Sequence, residues 1–99
     1  MGPQPAERGP GWASGAFDAA VFSPEGGEIP PKYRELIALA VSIATPCAPC
    51  VETHSRKATD AGASDAELAE AAWVATAIRA GGGFTRGRLT FALSGAHEH

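Results

Sequence analysis

Residues 30–54 read PPKYRELIALAVSIATPCAPCVETH and decide the fold of this 99-residue chain. Pro31 suits the first turn of a helix, and the apolar run from Leu36 to Ala44 predicts a helix that is buried on most sides. Proline is tolerated in a helix only near its first turn, so Pro49 predicts that a second helix starts near Ala48. The segment therefore predicts two consecutive helices joined by a short turn.

The sequence on either side extends the helical pattern. Residues 1–15 are rich in Gly and Pro and are expected to form a flexible arm, with a short helix near residues 13–22. Ser64 and Glu67 have the spacing of a capping box, which predicts a helix from Asp65 to about Ala80. The run Gly81-Gly82-Gly83 is expected to end that helix, and a last short helix is expected over residues 84–94. We predict an all-α fold with one compact domain over residues 16–96, packed in a homo-oligomer.

Composition narrows the classes of function. The formal net charge of −3 gives no basic footprint for nucleic acid or for an anionic membrane surface. The longest apolar run, residues 36–44, is too short to cross a bilayer, and no signal segment is recognisable at the N-terminus. We therefore expect a cytoplasmic protein without nucleic-acid or membrane partners. In a reducing compartment, two cysteines favour catalysis, redox sensing or metal binding over a structural bridge.

Both cysteines of the chain lie in the C-x-x-C pair Cys47 and Cys50, and His54 follows four residues after the second. On a helix, Cys50 and His54 share one face. Three interpretations stay open at this point: a structural disulfide, a zinc site completed by Glu35 or a tail histidine, and a redox-active pair. A bridge across so small a loop stabilises by only about 2 kcal/mol, which gives the structural interpretation little support.

The redox interpretation needs an activated thiolate. A helix N-terminus contributes about 0.3–1 kcal/mol to an adjacent anion, less than the 1.36 kcal/mol of one pKa unit. A base must supply the rest, and His54 lies one turn from Cys50, with Glu35 able to orient its imidazole. Because Pro49 places Cys50 inside the helix start, nearest His54, we predict that Cys50 attacks a peroxide and that Cys47 resolves the sulfenic acid to a disulfide.

The spacing of these residues resembles the signature of a known protein family. Glu35, eleven residues, Cys47-x-x-Cys50, three residues and His54 are similar to the signature of the alkylhydroperoxidase D-like branch of the carboxymuconolactone decarboxylase family. The flanks fit as well, with RELIALAVS at residues 34–42 and A-x-x-AGAS at residues 58–64. The resemblance covers about residues 30–83. The decarboxylase branch lacks the thiol pair, which argues against lactone decarboxylation.

The resemblance implies an all-α subunit in a homotrimer or homohexamer, with Glu35 and His54 forming a proton relay to Cys50, and Cys47 resolving. It implies a thiol peroxidase or disulfide oxidoreductase with an antioxidant role, a hydroperoxide substrate and an external dithiol or redox-protein reductant. We expect no cofactor. Well-studied peroxidases of the branch carry a histidine directly before the second cysteine, where this chain has Pro49. The alternative is a non-enzymatic thiol module for redox sensing or zinc binding.

Overall fold

The computed structural model describes residues 12–95, with side chains from residue 15 onward. The regular structure in this range is entirely helical, as the sequence predicted. The four helices are α1 (Trp12–Val21), α2 (Pro31–Ala44), α3 (Ala48–Asp60) and α4 (Asp65–Ser94).

Helix α1 begins at Trp12, inside the range expected to be a flexible arm. Residues 1–11 lie outside the described residues, so flexibility there stays a prediction, as do the bounds of the domain. An irregular connection over residues 22–30 joins α1 to α2. Gly26 lies in it with a φ of 78°, a backbone conformation that glycine adopts at little cost.

Helix α2 starts at Pro31, as predicted, and its buried stripe consists of Glu35, Leu39 and Ser42. Spacings of four and three residues place these side chains on one face. The sequence predicts that the apolar run is buried on most sides, in a bundle core or an oligomer, and within one chain Ile37 and Val41 are about half exposed. Both side chains face a cavity described below.

Helix α3 follows after a short turn, with Cys47 as its N-cap and Pro49 in its first turn. This confirms that Cys50 lies at a helix start. The helix ends at Asp60, and Gly62 just beyond it has a φ of 102°, the left-handed conformation expected after a helix end. Ala58 is fully buried near the end of the helix. Helices α2 and α3 thus form an antiparallel hairpin.

Helix α4 opens with the predicted capping box. The Ser64 hydroxyl accepts from the Glu67 N–H at 3.1 Å, and the Glu67 carboxylate accepts from the Ser64 N–H at 3.0 Å. The predicted break at Gly81-Gly82-Gly83 is wrong, because α4 continues as one helix to Ser94. Glycine permits a left-handed exit but does not force one, and none of these three has a positive φ. The exit occurs at Gly95, with a φ of 73°.

Helix α2 packs against both α3 and the first half of α4, while all residues from Thr76 to Ser94 are exposed. A 30-residue helix is about 45 Å long, so its second half extends away from the hairpin. The radius of gyration is 19.1 Å, against about 13 Å for a compact domain of this length. The single chain is therefore more extended than a compact domain of this length. None of the helices in the described residues is long and apolar enough to span a membrane.

Candidate active site

The two cysteines form a disulfide at the N-terminus of α3. The sulfur atoms are 2.04 Å apart and the Cα atoms 5.2 Å apart. Cys47 is the N-cap, and its N–H donates to the Ser42 carbonyl oxygen of α2 at 3.0 Å. Cys50 is the third residue of α3 and faces the same cavity as Cys47. The bridge corresponds to the oxidised state of the C-x-x-C pair.

Glu35 and His54 form a buried pair between the two helices of the hairpin. His54 Nδ1 lies 2.6 Å from Glu35 Oε2, and each side chain is less than 15% exposed. An ionised carboxylate only accepts hydrogen bonds, so Nδ1 donates and Nε2 is the nitrogen left for proton exchange. The structure thus joins Glu35, predicted from its position on α2, to the predicted base on α3.

Phe22 covers one face of the His54 imidazole. The ring centroids are 5.2 Å apart, and the planes are inclined by 28°. Phe22 directly follows α1 and was outside the set of site residues predicted from the sequence. No spacing rule relates residue 22 to residue 54, since the contact depends on the path of the irregular connection between α1 and α2.

Arg34 holds that connection in place. Its Nε donates to the Ile29 carbonyl oxygen at 2.8 Å, and its Nη1 donates to the carbonyl oxygens of Val21, at 2.9 Å, and Ser23. Arg34 precedes Glu35 on α2, and successive helical residues point about 100° apart. One side chain therefore binds the connection while the next binds His54.

A cleft of about 550 Å³ lies beside the disulfide, between α2, α3 and the connection that carries Phe22. This volume is in the range of small-molecule sites. Most of its lining is apolar, and Cys47, Cys50 and His54 supply the reactive groups. It is lined by Val21, Phe22, Ile29, Arg34, Ile37, Ala38, Val41, Ser42, Thr45, Cys47, Cys50 and His54.

A smaller hollow of about 210 Å³ reaches Cys50 and His54 from another side. Asp18 of α1 and Lys57 of α3 line it as well, so a carboxylate and an ammonium group border the same hollow as the imidazole. Ser42, which shares the buried stripe with Glu35, donates its hydroxyl to the Ala38 carbonyl oxygen at 2.6 Å. Ser42 therefore satisfies its hydroxyl within its own helix.

The zinc interpretation required Cys47, Cys50 and His54 to converge as ligands. Within the part of the chain that the structure describes, no three His, Cys, Asp or Glu side chains are grouped to hold a metal ion. The two sulfur atoms are bonded to each other instead. Glu35, one proposed fourth ligand, is hydrogen-bonded to His54. The tail histidines His97 and His99, the other proposed source, lie outside the described residues.

The fold and the site define a helical protein built around a C-x-x-C disulfide with a buried carboxylate–imidazole pair beside it. A model of the carboxymuconolactone decarboxylase family matches residues 11–90, and the chain belongs to that family. The family includes the alkylhydroperoxidase D-like peroxidases, and its members are often enzymes.

The chain is similar to one protein of known sequence and to one of known structure. A Paracoccus denitrificans protein, called uncharacterized protein 4 in the cox locus, is 34% identical over 78 residues, which cover 79% of this chain and 68% of that protein. A crystal structure of a protein from Methanobacterium thermoautotrophicum superposes with a TM-score of 0.70 at 35% identity, covering 80% of this chain and 86% of the other. The helical architecture is therefore shared with an experimentally determined structure.

Proposed function

We propose that this chain is a thiol peroxidase or disulfide oxidoreductase of the alkylhydroperoxidase D-like type. The observation that carries the proposal is the Glu35–His54 hydrogen bond of 2.6 Å in the same hairpin as the Cys47–Cys50 pair. A purely structural bridge has no use for a buried carboxylate that orients an imidazole. A thiol that must lose and regain a proton needs such an oriented imidazole as its base.

Cys50 is the proposed attacking thiol. It lies in the first turn of α3, where the helix dipole favours an anion, and it is four residues before His54 on the same helix. Cys47, as the N-cap, lies one turn earlier and is not within that i, i+4 relation. Both the dipole and the base therefore act more directly on Cys50.

The proposed reaction has three steps. The Cys50 thiolate attacks the terminal peroxide oxygen, the O–O bond breaks, and the alkoxide leaves as an alcohol with a proton supplied by His54. Cys50 is thereby oxidised to a sulfenic acid. The Cys47 thiolate then attacks that sulfur, forming the disulfide and releasing hydroxide, which a proton converts to water. An external dithiol returns two electrons by thiol–disulfide exchange and becomes a disulfide itself.

The character of the cleft supports an organic substrate. Ile37 and Val41 of α2 and Ile29 of the connection present apolar surface next to the sulfur atoms. Burying an alkyl group there is favourable by about 25 cal/mol per Å² of apolar surface. We therefore propose an alkyl hydroperoxide in preference to hydrogen peroxide, which has no apolar group to bury.

The test is consumption of an alkyl hydroperoxide by the full chain with an excess of dithiothreitol. We expect turnover by the wild type and none by Cys50→Ser. In a separate reaction from which dithiothreitol has been removed, because it would reduce the product, pre-reduced Cys47→Ser should react once and accumulate a sulfenic acid, which a dimedone probe detects by mass spectrometry. If Cys47→Ser and not Cys50→Ser abolishes the first reaction, the assignment of the two thiols is reversed. If the wild type consumes no hydroperoxide, the peroxidase proposal is wrong.

A further inference from the structure

Phe22 keeps its place on His54 although α1 itself packs little against the hairpin. Residues 17–21 of α1 are exposed, and Phe17 is 72% exposed. The carbonyl oxygens that accept from Arg34 Nη1 belong to Val21 and Ser23, the residues on either side of Phe22. Arg34 thus anchors the backbone at Phe22 to α2.

The connection is shaped to admit the guanidinium group. A Cβ atom at Gly27 would lie 3.1–3.3 Å from three atoms of that group, tighter than most Cβ contacts in proteins, so the guanidinium group would have to shift. A third carbonyl, of Ile29, accepts from Arg34 Nε at 2.8 Å. One planar cation therefore ties both ends of the connection, a task suited to the fixed fork of donors in arginine.

Through Phe22, this anchoring affects His54, whose imidazole ring is contacted by two side chains. Glu35 fixes Nδ1 at the ring edge, and Phe22 covers one ring face at a centroid distance of 5.2 Å. A hydrogen bond alone leaves the ring free to rock about it. A stacked neighbour restricts that motion, and such aromatic contacts are worth about 0.5–1.5 kcal/mol beyond their buried area.

We propose that Phe22, anchored by Arg34, is a positioning residue that holds the His54 imidazole in the orientation in which Nε2 exchanges a proton with Cys50. This inference rests on the proposed function, because it assigns His54 the role of base. It adds Arg34 of α2 and Phe22 of the connection to the site. The other site residues are Glu35 of α2, the N-cap Cys47, and Cys50 and His54 of α3.

Several charged groups contact His54 or line the two cavities that it borders, and they must be considered in any pH experiment. Glu35 of α2 bonds to the ring, and Arg34 of α2 lines the same cleft. Asp18 of α1 and Lys57 of α3 line the smaller hollow beside it, and Cys50 lies in both. Phe22 carries no charge, so its substitution leaves all of these charges in place.

The test uses Cys47→Ser full chain, in which Cys50 is the single thiol, and neutral iodoacetamide as the probe. The readout is the alkylation rate at pH 7 divided by the rate at pH 10, where the thiolate forms without help. Dividing by the pH 10 rate removes changes in access. We expect Phe22→Leu to lower this ratio about two- to tenfold, the range that the stacking contribution corresponds to.

Two controls separate positioning from general damage to α1. Phe22→Tyr keeps the ring and should keep the ratio, and Phe17→Leu makes the same side-chain change at an exposed position of α1. Arg34→Lys retains the charge but loses the fork, and it should lower the ratio while adding nothing to Phe22→Leu in the double variant. Independent, additive effects would show that Arg34 does not act through Phe22.

An unchanged ratio in a folded Phe22→Leu variant overturns the inference, and so does an equal loss in Phe17→Leu. Should Phe22→Leu fail to fold, the same criteria apply to Arg34→Lys. The alkylation ratio needs no peroxide, so it separates the two proposals. A chain that consumes no hydroperoxide but shows the expected ratios retains the positioning of His54 and loses only the peroxidase function.

Discussion

At the scale of single residues, the buried contact between Glu35 and His54 has the clearest chemical consequence. The carboxylate accepts from Nδ1 and so fixes which imidazole nitrogen remains available. It also lies where a positive charge on the imidazole would be stabilised after proton transfer. The negative charge of Glu35, and not only its shape, should therefore matter for thiolate formation at Cys50.

Glu35→Gln tests that charge while keeping a side chain of nearly the same shape. We expect hydroperoxide turnover to fall about 10- to 100-fold, the range found when the carboxylate that orients a metal-binding histidine is removed, because Glu35 orients His54 through the same kind of hydrogen bond. The initial rate of peroxide loss at pH 7 measures it. Glu52→Gln, the same change at an exposed position of α3, serves as the control. A loss below twofold in Glu35→Gln would remove the carboxylate from the relay.

Much of the site could be predicted from residue spacing, because its central part is local. Cys50 and His54 are one helical turn apart, and Pro49 fixes where that turn begins. Glu35 could be placed only by resemblance and by its position on α2. Phe22 and Arg34 could not be found, because their contacts depend on the irregular connection and three backbone carbonyls, for which side-chain patterns give no signal.

At the scale of elements, a second polar contact joins α2 to the start of α4. Lys32 Nζ lies 3.1 Å from Glu67 Oε2, and Glu67 also accepts from the Ser64 N–H in the capping box. The Ser64 N–H and the Lys32 ammonium hold the pKa of Glu67 below its usual value, and hydrogen bonding to Glu67 raises the pKa of Lys32. Both shifts mean that the folded state favours the charged pair.

The shift at Glu67 predicts a dependence of stability on acid. Because its pKa is lowered on folding, its contribution is present above the ordinary value of 4.5 and is lost as the pH falls through the folded-state value. Glu67→Gln retains a capping side chain and removes the charge. We expect this variant to be less stable than the wild type at pH 7 and equally stable once the pH is well below 4.5, measured by urea unfolding.

Glu52→Gln is again a suitable control, since it removes one carboxylate from an exposed position of α3. Its stability difference from the wild type should not show this trend. A Glu67→Gln difference that stays constant from pH 7 to pH 3 would contradict the assignment of the effect to the charged pair.

Helix starts were predictable here, and one helix end was not. Ser64, Glu67, Pro31 and Pro49 each satisfy or remove an N–H at a first turn, a local requirement that the sequence states directly. Three consecutive glycines lower helix propensity by about 1 kcal/mol each relative to alanine, yet they keep helical backbone angles in α4. Propensity is a weak constraint that the surroundings of a helix can override.

At the scale of the whole molecule, one chain buries few apolar side chains and leaves many large ones exposed. Within residues 15–95, the buried apolar side chains are Leu39, Ala58, Ala63 and Ala75. The second half of α4 carries four glycines and exposes Phe84 and Leu93 by 70% or more. Small cores and large exposed apolar surfaces are typical of subunits. We propose that copies of this chain associate through the second half of α4.

Solution mass tests this proposal. By the resemblance to family members, we expect light scattering to give about three or six times the 10.1 kDa mass of the chain. Phe84 is 77% exposed in one chain, and Phe84→Glu, which places a charge there, should lower the mass. Phe17→Glu makes the same change on α1 and should retain the assembly. A monomeric wild type would contradict the proposal.

The α2–α3 hairpin has a consequence for how such a protein diverges. The four residues predicted to act in the thiol chemistry lie within residues 35–54, one continuous segment folded on itself. A continuous segment is inherited as a unit, whereas a site gathered from distant segments requires matched changes in several places. Substitutions in α1 and in the second half of α4 can therefore accumulate and alter access or assembly while the hairpin passes on its thiol chemistry intact.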